Sequence, residues 1–235
     1  GDWIAILDVD DYWFDNFLET SLNALSCSEF VMSYAGIKEI DKNGKFQREM
    51  IPIHSSGFQL SEQLSFFEIN MQTPVISRKF LVENSLNFNS NMITSEDFNL
   101  FIRIAARGPI KVIKKPLAAY RVHHSMTNER IDSWYLDHQI TLEELIKENP
   151  SLTKDYKLPL LKAESKARYY QARYLFSINE KSKGRDVMDS IKTVSLIYLV
   201  LWIISYSSTF WRIIHSDLLK RSLSKVIGIF MLRES

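Results

Sequence analysis

The sequence predicts an α/β fold, a mixed sheet with helices, followed by an α-helical C-terminal region. Three observations carry this. Trp3-Ile4-Ala5-Ile6-Leu7 is an uninterrupted apolar run closed by Asp8, Asp10 and Asp11, the pattern of a buried strand ending in acid. Strand-like runs then alternate with stretches of helical periodicity as far as Val122. From about Ile131 onward only helical periodicity remains.

Composition narrows the class. With 235 residues, 46% hydrophobic and 24% charged, the chain can bury a sizeable core. A net charge of +1, without basic runs interleaved with aromatics in the first half, argues against a nucleic-acid partner. Cys27 is the only cysteine, so there is no internal disulfide and no cysteine-based metal site; it reads as a small core residue in a reducing compartment.

The first run reads as a parallel strand buried on both faces. In open α/β sheets ligands sit beyond the carboxyl ends of strands. Carboxylates crowded there repel one another unless a cation joins them, so a divalent metal is expected at Asp8 and Asp10. Asp15 caps a helix running to about Leu25, with Phe14, Phe17, Leu18, Leu22 and Leu25 on the face toward the sheet. Residues 30–35 form a strand. Residues 37–41 and 46–50 flank Lys42-Asn43-Gly44-Lys45, a hairpin signal, and this hairpin is expected to be peripheral. A short helix over 61–69, a strand over 73–77 and a helix near 79–84 follow. Thr94 begins a helix with Phe98, Phe101, Ile102 and Ala105 as its buried stripe, ended by Gly108-Pro109. Strands over 110–113 and 117–122 complete the sheet. Helices over 131–149, 158–177, 185–206 and 210–231 form the appendage.

Three stretches carry a resemblance: Gly1-Asp2-Trp3-Ile4 with Leu7-Asp8-Val9-Asp10-Asp11-Tyr12-Trp13, then Ser95-Glu96-Asp97-Phe98-Asn99-Leu100-Phe101-Ile102-Arg103, then Tyr120-Arg121-Val122-His123-His124-Ser125. In this order they resemble the family 2 glycosyltransferases of GT-A fold, over residues 1–128. The resemblance implies a partial GT-A (nucleotide-diphospho-sugar transferase) sheet. Residues 1–130 would be the C-terminal part of the catalytic domain, bearing the metal, donor-diphosphate and acceptor sides, and 131–235 a helical appendage. The nucleoside-gripping βαβ units that precede the acidic strand in the family are missing, so the chain reads as a fragment.

The resemblance also implies site roles. The Asp-x-Asp motif holds Mn2+ or Mg2+ on the diphosphate of a nucleotide-sugar, with Asp10 most directly on the metal, Asp8 nearer the ribose and diphosphate, and Asp11 on the donor side. Hard carboxylate oxygens suit these cations, which offset charge on the departing nucleoside diphosphate. Asp97 is the base that deprotonates the acceptor hydroxyl in an inverting transfer, with Glu96 orienting acceptor or loop. Thr73 opens the segment lining the acceptor side. Arg103 sits behind the site, pairing with a carboxylate, Arg121 contacts phosphate and His123 reaches the metal. Structural alternatives stand beside these. Thr94-Ser95-Glu96-Asp97 is an approximate capping box, so Asp97 could cap a helix, and a helix N-terminus also favours the ionised base. Arg103 could be a surface arginine and Arg121 a structural ion pair. The expected reaction moves a sugar from a UDP-linked donor to a glycan or lipid-linked acceptor, in surface glycan or polysaccharide synthesis, in the cytoplasm or on the inner face of the cell membrane.

Val194-Ser-Leu-Ile-Tyr-Leu-Val-Leu-Trp-Ile-Ile204 spans only about half a bilayer. With Trp202, Phe210, Trp211 and Phe230 beside Arg212, Lys220, Arg221, Lys225 and Arg233, residues 190–235 suit peripheral membrane contact; mutual packing of the helices is the alternative. Two rival functions remain. A haloacid-dehalogenase-type phosphatase would use Asp8 as nucleophile, Asp10 as acid, Ser33 at the next strand end, and Glu96 and Asp97 as metal ligands; Asp11, Tyr12 and Trp13 depart from that pattern. An inactive transferase domain serving as a scaffold is the other.

Overall fold

The computed structural model describes residues 1–26, 29–122 and 131–216. The sheet is built from β1 (Trp3–Ala5), β2 (Tyr12–Trp13), β3 (Met32–Ile40), β4 (Phe46–Met50), β5 (Val75–Ser77) and β6 (Ile110–Arg121). Its order is β1-β5-β3-β6-β2, with β4 paired to the far half of β3. The β3–β6 pair is parallel and the others antiparallel, so the sheet is mixed.

Side chains alternate across this sheet as the pleat demands. Met32, Tyr34, Ile76, Ile110 and Val112 face α4 (Glu96–Ala105), whose Leu100, Phe101, Ile104 and Ala105 fill that layer. Ala35, Val75, Ile113 and Leu117 face α1 (Phe17–Leu25) on the other side. The sheet is thus covered on both faces. α2 (Leu60–Ser65) and α3 (Arg78–Glu83) lie between strands in the chain. Six helices follow β6 among the described residues: α5 (Ile131–Glu148), α6 (Leu152–Asp155), α7 (Lys157–Ser177), α8 (Lys181–Ile191), α9 (Leu196–Ile204) and α10 (Ser208–Ile214). Leu142, Leu145, Leu152, Leu160 and Ala163 from this region share one core with Leu60, Leu64, Phe98 and Ile102.

Several sequence expectations change. β1 is a short edge strand paired antiparallel to β5, with Ile4 38% and Leu7 39% exposed, where a parallel strand buried on both faces was expected. The apolar run is divided between layers: Trp3 and Ala5 pack toward α1 and Ile6 toward α4. In α1, Asn16 and not Asp15 stands at the cap, and Phe17, Ser21 and Leu25 are buried while Leu18 and Leu22 are exposed. The expected strand over 30–35 and the first arm of the hairpin are one strand, β3. It stays continuous through Gly36, where its register with β6 shifts and a Cβ would come within 2.6 Å of the Met50 carbonyl. The last two expected strands likewise merge into β6. The hairpin turn itself holds: the Asp41 carboxylate accepts the N–H groups of Asn43 and Lys45, both at 2.9 Å, and Gly44 has φ +80. The helix expected over 185–206 is two helices. The chain is extended at Ser195, whose hydroxyl accepts the Tyr198 N–H at 3.3 Å and starts α9 anew.

Candidate active site

The acidic residues are delivered by a tight turn. The Asp11 N–H donates to the Asp8 carbonyl at 3.2 Å, placing Val9 and Asp10 at an exposed tip. Asp11 then turns inward. It is buried, with Oδ1 accepting the Arg121 N–H at 2.8 Å and Oδ2 accepting the Gln72 side-chain amide at 2.9 Å. The Gln72 carbonyl in turn accepts the Trp13 indole N–H at 2.8 Å, and Trp13 stacks on Phe17 at 4.5 Å. Asp11 therefore ties the turn to the sheet through Arg121 and Gln72. Burial first, then Asp10 and Asp8, push its carboxyl up to about 6.

Asp8 remains at the surface of a cavity of about 230 Å³, which it lines together with Glu96 and Asp97. Glu96 and Asp97 open α4, in its first turn. Oδ1 of Asp97 accepts the Phe98 N–H at 2.7 Å. Burial, followed by the charges of Glu96 and Asp8, pushes Asp97 up to about 6. Asp8 is raised for the same reasons: burial, then Asp10, then Glu96. The structure thus gathers Asp8, Glu96 and Asp97 from distant parts of the chain into one mutually repelling acidic cluster, with Asp10 acting on it from the turn. Among the described residues no cluster of three or more His, Cys, Asp or Glu is arranged to hold a metal on its own.

Glu39 and Met50 also line this cavity, so the hairpin is not peripheral as expected. Arg48 grips Glu39 through both guanidinium arms at 2.5 and 2.7 Å, neutralising that wall. Tyr120 closes another side, its hydroxyl raised by burial and then by Asp11 and Glu39.

The remaining wall comes from helices the sequence did not connect to the site. Trp134 and His138 of α5 and Lys166 and Tyr170 of α7 line the same cavity. His138 is buried and stacked on Phe98 at 4.1 Å, and burial, with Lys166, holds it down to about 3, so it is neutral. Trp134 meets Tyr170 edge to face at 5.0 Å. Next to them, the buried Asp137 carboxylate accepts the N–H groups of Ile93, Thr94 and Ser95 through Oδ2. Among these donors is the Thr94 N–H, which the expected capping box would have given to Asp97. Ser95 stands at the cap without a side-chain hydrogen bond. A signal existed: Trp134, Asp137, His138 and Thr141 recur at helical spacing, but a polar stripe reads as solvated until its burial is known.

Other expected site residues serve elsewhere. Thr73 is fully buried and its hydroxyl donates to the Asn70 carbonyl at 3.0 Å, holding the bend before β5. Arg103 points to α5, where it and Arg107 bind Glu148 at 2.9 and 2.6 Å. Arg121 donates to the carbonyls of Asp10, Asp41 and Lys42, clasping the acidic turn to the hairpin. Ser33, required at a strand end by the phosphatase reading, is fully buried inside β3. His123, with His124 and Cys27, lies outside the described residues.

With this geometry established, comparison with known proteins is informative. No family model matches the chain. It is 28% identical over 154 residues to an uncharacterized glycosyltransferase of Rickettsia bellii, covering 66% of this chain and 22% of that protein. A Rickettsia felis protein of the same description is 25% identical over 154 residues, 66% of this chain and 25% of that one. The chain spans about a quarter or less of the length of these curated relatives. The crystal structure of S. aureus TarS 1–349 superposes with a TM-score of 0.56 at 14% identity, covering 97% of this chain and 67% of TarS. Its complex with UDP-GlcNAc gives 0.57 at 15% identity, covering 97% and 68%. The chain shares its fold with TarS. That match takes in the helices after β6 as well as the sheet, in keeping with the α/β fold and helical C-terminal region expected from the sequence.

Proposed function

We propose that the chain is the catalytic part of a family 2 glycosyltransferase that moves a sugar from a nucleotide-sugar to an acceptor hydroxyl with inversion. One observation carries this reading: Asp97, raised to about 6, opens a cavity that also receives Asp8 and Glu96. The names of the Rickettsia relatives and the UDP-GlcNAc bound by TarS support a nucleotide-sugar donor, and a UDP-linked one.

In this mechanism the acceptor oxygen attacks the anomeric carbon while its proton passes to the Asp97 carboxylate. The bond from that carbon to the diphosphate oxygen breaks, and the nucleoside diphosphate leaves with the electron pair. A base on the face opposite the leaving group gives inversion. Burial keeps Asp97 basic enough to take the proton near neutral pH. Asp8 and Asp10 fit a divalent cation because their mutual repulsion already raises Asp8, and a cation relieves it. Mn2+ or Mg2+ bound there supplies Lewis-acid stabilisation of the leaving diphosphate. Trp134, which lines the same cavity as the acids, offers an aromatic side chain to a glycan or lipid-linked acceptor.

The test uses UDP-GlcNAc with Mn2+ as probe donor, measuring binding by calorimetry and turnover by UDP release. Asp97→Asn is expected to lower turnover by at least about a hundredfold with donor affinity retained. Undiminished turnover in that variant rejects Asp97 as the base.

A further inference from the structure

α9 and α10, which contribute no side chain to the cavity lining, carry a feature that the proposed transfer does not use. Leu201 and Trp211 are buried in a cluster with Met188 and Ile191, so one face of α9 and of α10 is satisfied inside the protein. The opposite face is not. Leu196, Leu199, Val200 and Ile203 follow the helical repeat along α9 and are 75, 37, 45 and 57% exposed. Phe210 and Ile213 of α10, the next helix, are likewise exposed at 63 and 46%. Isolated exposed apolar residues are ordinary, but a continuous row of them marks a contact surface.

The charges around the row identify its partner. Arg185 lies 5.7 Å from the Tyr206 ring and Lys192 lies 4.5 Å from the Trp202 ring, setting cations beside aromatic side chains at the border. Arg212 is exposed between Phe210 and Ile213. From Glu180 to Ile214 the cations Lys181, Lys183, Arg185, Lys192 and Arg212 outnumber the anions Glu180, Asp186 and Asp189, with Lys183 paired to Glu180 and Lys192 to Asp189. Two copies meeting through this face about a twofold axis would bring like-charged rims together. An anionic surface removes that conflict. α9, at nine residues, is too short to cross a bilayer, and no described helix is long and apolar enough to do so.

We propose that the α9–α10 face lies on an anionic lipid bilayer, with its apolar row seated at the headgroup boundary and its cations on the lipid charges. Such contact combines buried apolar area with electrostatic attraction, each basic residue near the surface strengthening it about fivefold. The inference stands apart from the transfer reaction, so either can fail alone.

The experiment is flotation of the full chain with vesicles of phosphatidylcholine alone or containing phosphatidylglycerol, at low and high salt. Binding is expected on the anionic vesicles, weaker by more than about tenfold on the neutral ones, and reduced by salt. The double variant Leu199→Asp, Ile203→Asp should lose binding while its circular dichroism melt stays unchanged, since both side chains are exposed. Arg212→Glu should weaken it by more than about fivefold. No flotation on anionic vesicles overturns the proposal. So does binding that survives the double variant but is lost on Lys220→Glu with Arg221→Glu, which would assign the contact to the following segment. A dimer that the double variant dissociates, without vesicle binding by the parent, would assign the face to a second copy.

Discussion

Asp137 holds Thr94 twice through a single oxygen: Oδ2 accepts the Thr94 N–H at 2.7 Å and the Thr94 hydroxyl at 2.9 Å. The same atom takes the N–H groups of Ile93 and Ser95 at 3.0 and 3.1 Å. A residue of the helical region thereby fixes the approach to α4, on whose first turn Glu96 and Asp97 stand. Asp137→Ala strands these donors in a buried place and should lower the unfolding free energy by about 3 kcal/mol. Asp137→Asn keeps an acceptor of the same size and should recover part of the loss. Urea denaturation measures the stability, and UDP release should show the same order of variants.

The acidity of Asp97 sets a pH signature. In its proposed role as base, an Asp97 raised to about 6 is protonated below that pH, so turnover should rise with pH through about 6 and level above it. A pH–rate profile of the cation-loaded enzyme measures the limb, and a cation beside Asp8 shifts it toward lower pH.

The same group acts on stability in the opposite sense. Its folded-state pKa lies above the unfolded value of 3.8, so the folded protein binds the proton more tightly and that stabilisation is lost as pH rises from about 4 to about 6. Asp97→Asn should match the parent below pH 4, grow more stable than it through that window, and keep the gain at neutral pH. Denaturation midpoints taken at intervals across this range test the sign.

Chelation should stop transfer and Mn2+ or Mg2+ should restore it. Asp10→Asn is expected to shift the cation requirement upward by at least about tenfold, whereas Asp11→Asn should act through stability because its partners are the Arg121 N–H and Gln72. Turnover against metal concentration, set beside thermal melts, separates these effects.

Arg103 should prove dispensable for chemistry. Glu148 is held below its usual range by Arg107 and Arg103 against the burial that opposes them. Arg103→Met should cost about 1 kcal/mol or less, as for partly exposed pairs, with the donor Kd unchanged by calorimetry. The stability that Glu148 contributes is present at neutral pH and lost as pH falls through its depressed pKa.

Local physics made the hairpin legible, because Asn43-Gly44 demands a left-handed turn whatever surrounds it. It made α4 legible as well, although its expected stripe divides between two layers, Phe101 and Ala105 packing on the sheet and Phe98 and Ile102 on the helical region. Asp8 and Asp97 could be named in advance, and the structure brings them to one cavity. What could not be read was partnership at long range. Nothing near Arg103 in the chain announces Glu148, and nothing near Asp11 announces Gln72. The wall of Trp134, His138, Lys166 and Tyr170 was hidden for a related reason: burial of polar helix faces depends on which helix arrives opposite, and that is a property of the assembled core.

The acidic cluster also bears on how the proposed donor can be sought. Like charges that the scaffold forces together are a point of local frustration, and an occupant that brings positive charge, or a cation with a nucleotide, relaxes it. Occupancy is then coupled to global stability, by an amount that grows with ligand concentration relative to its Kd. The melting temperature becomes a reporter for the missing chemistry: cations and nucleotide-sugars can be ranked by how far each delays unfolding, before any acceptor or product has been identified.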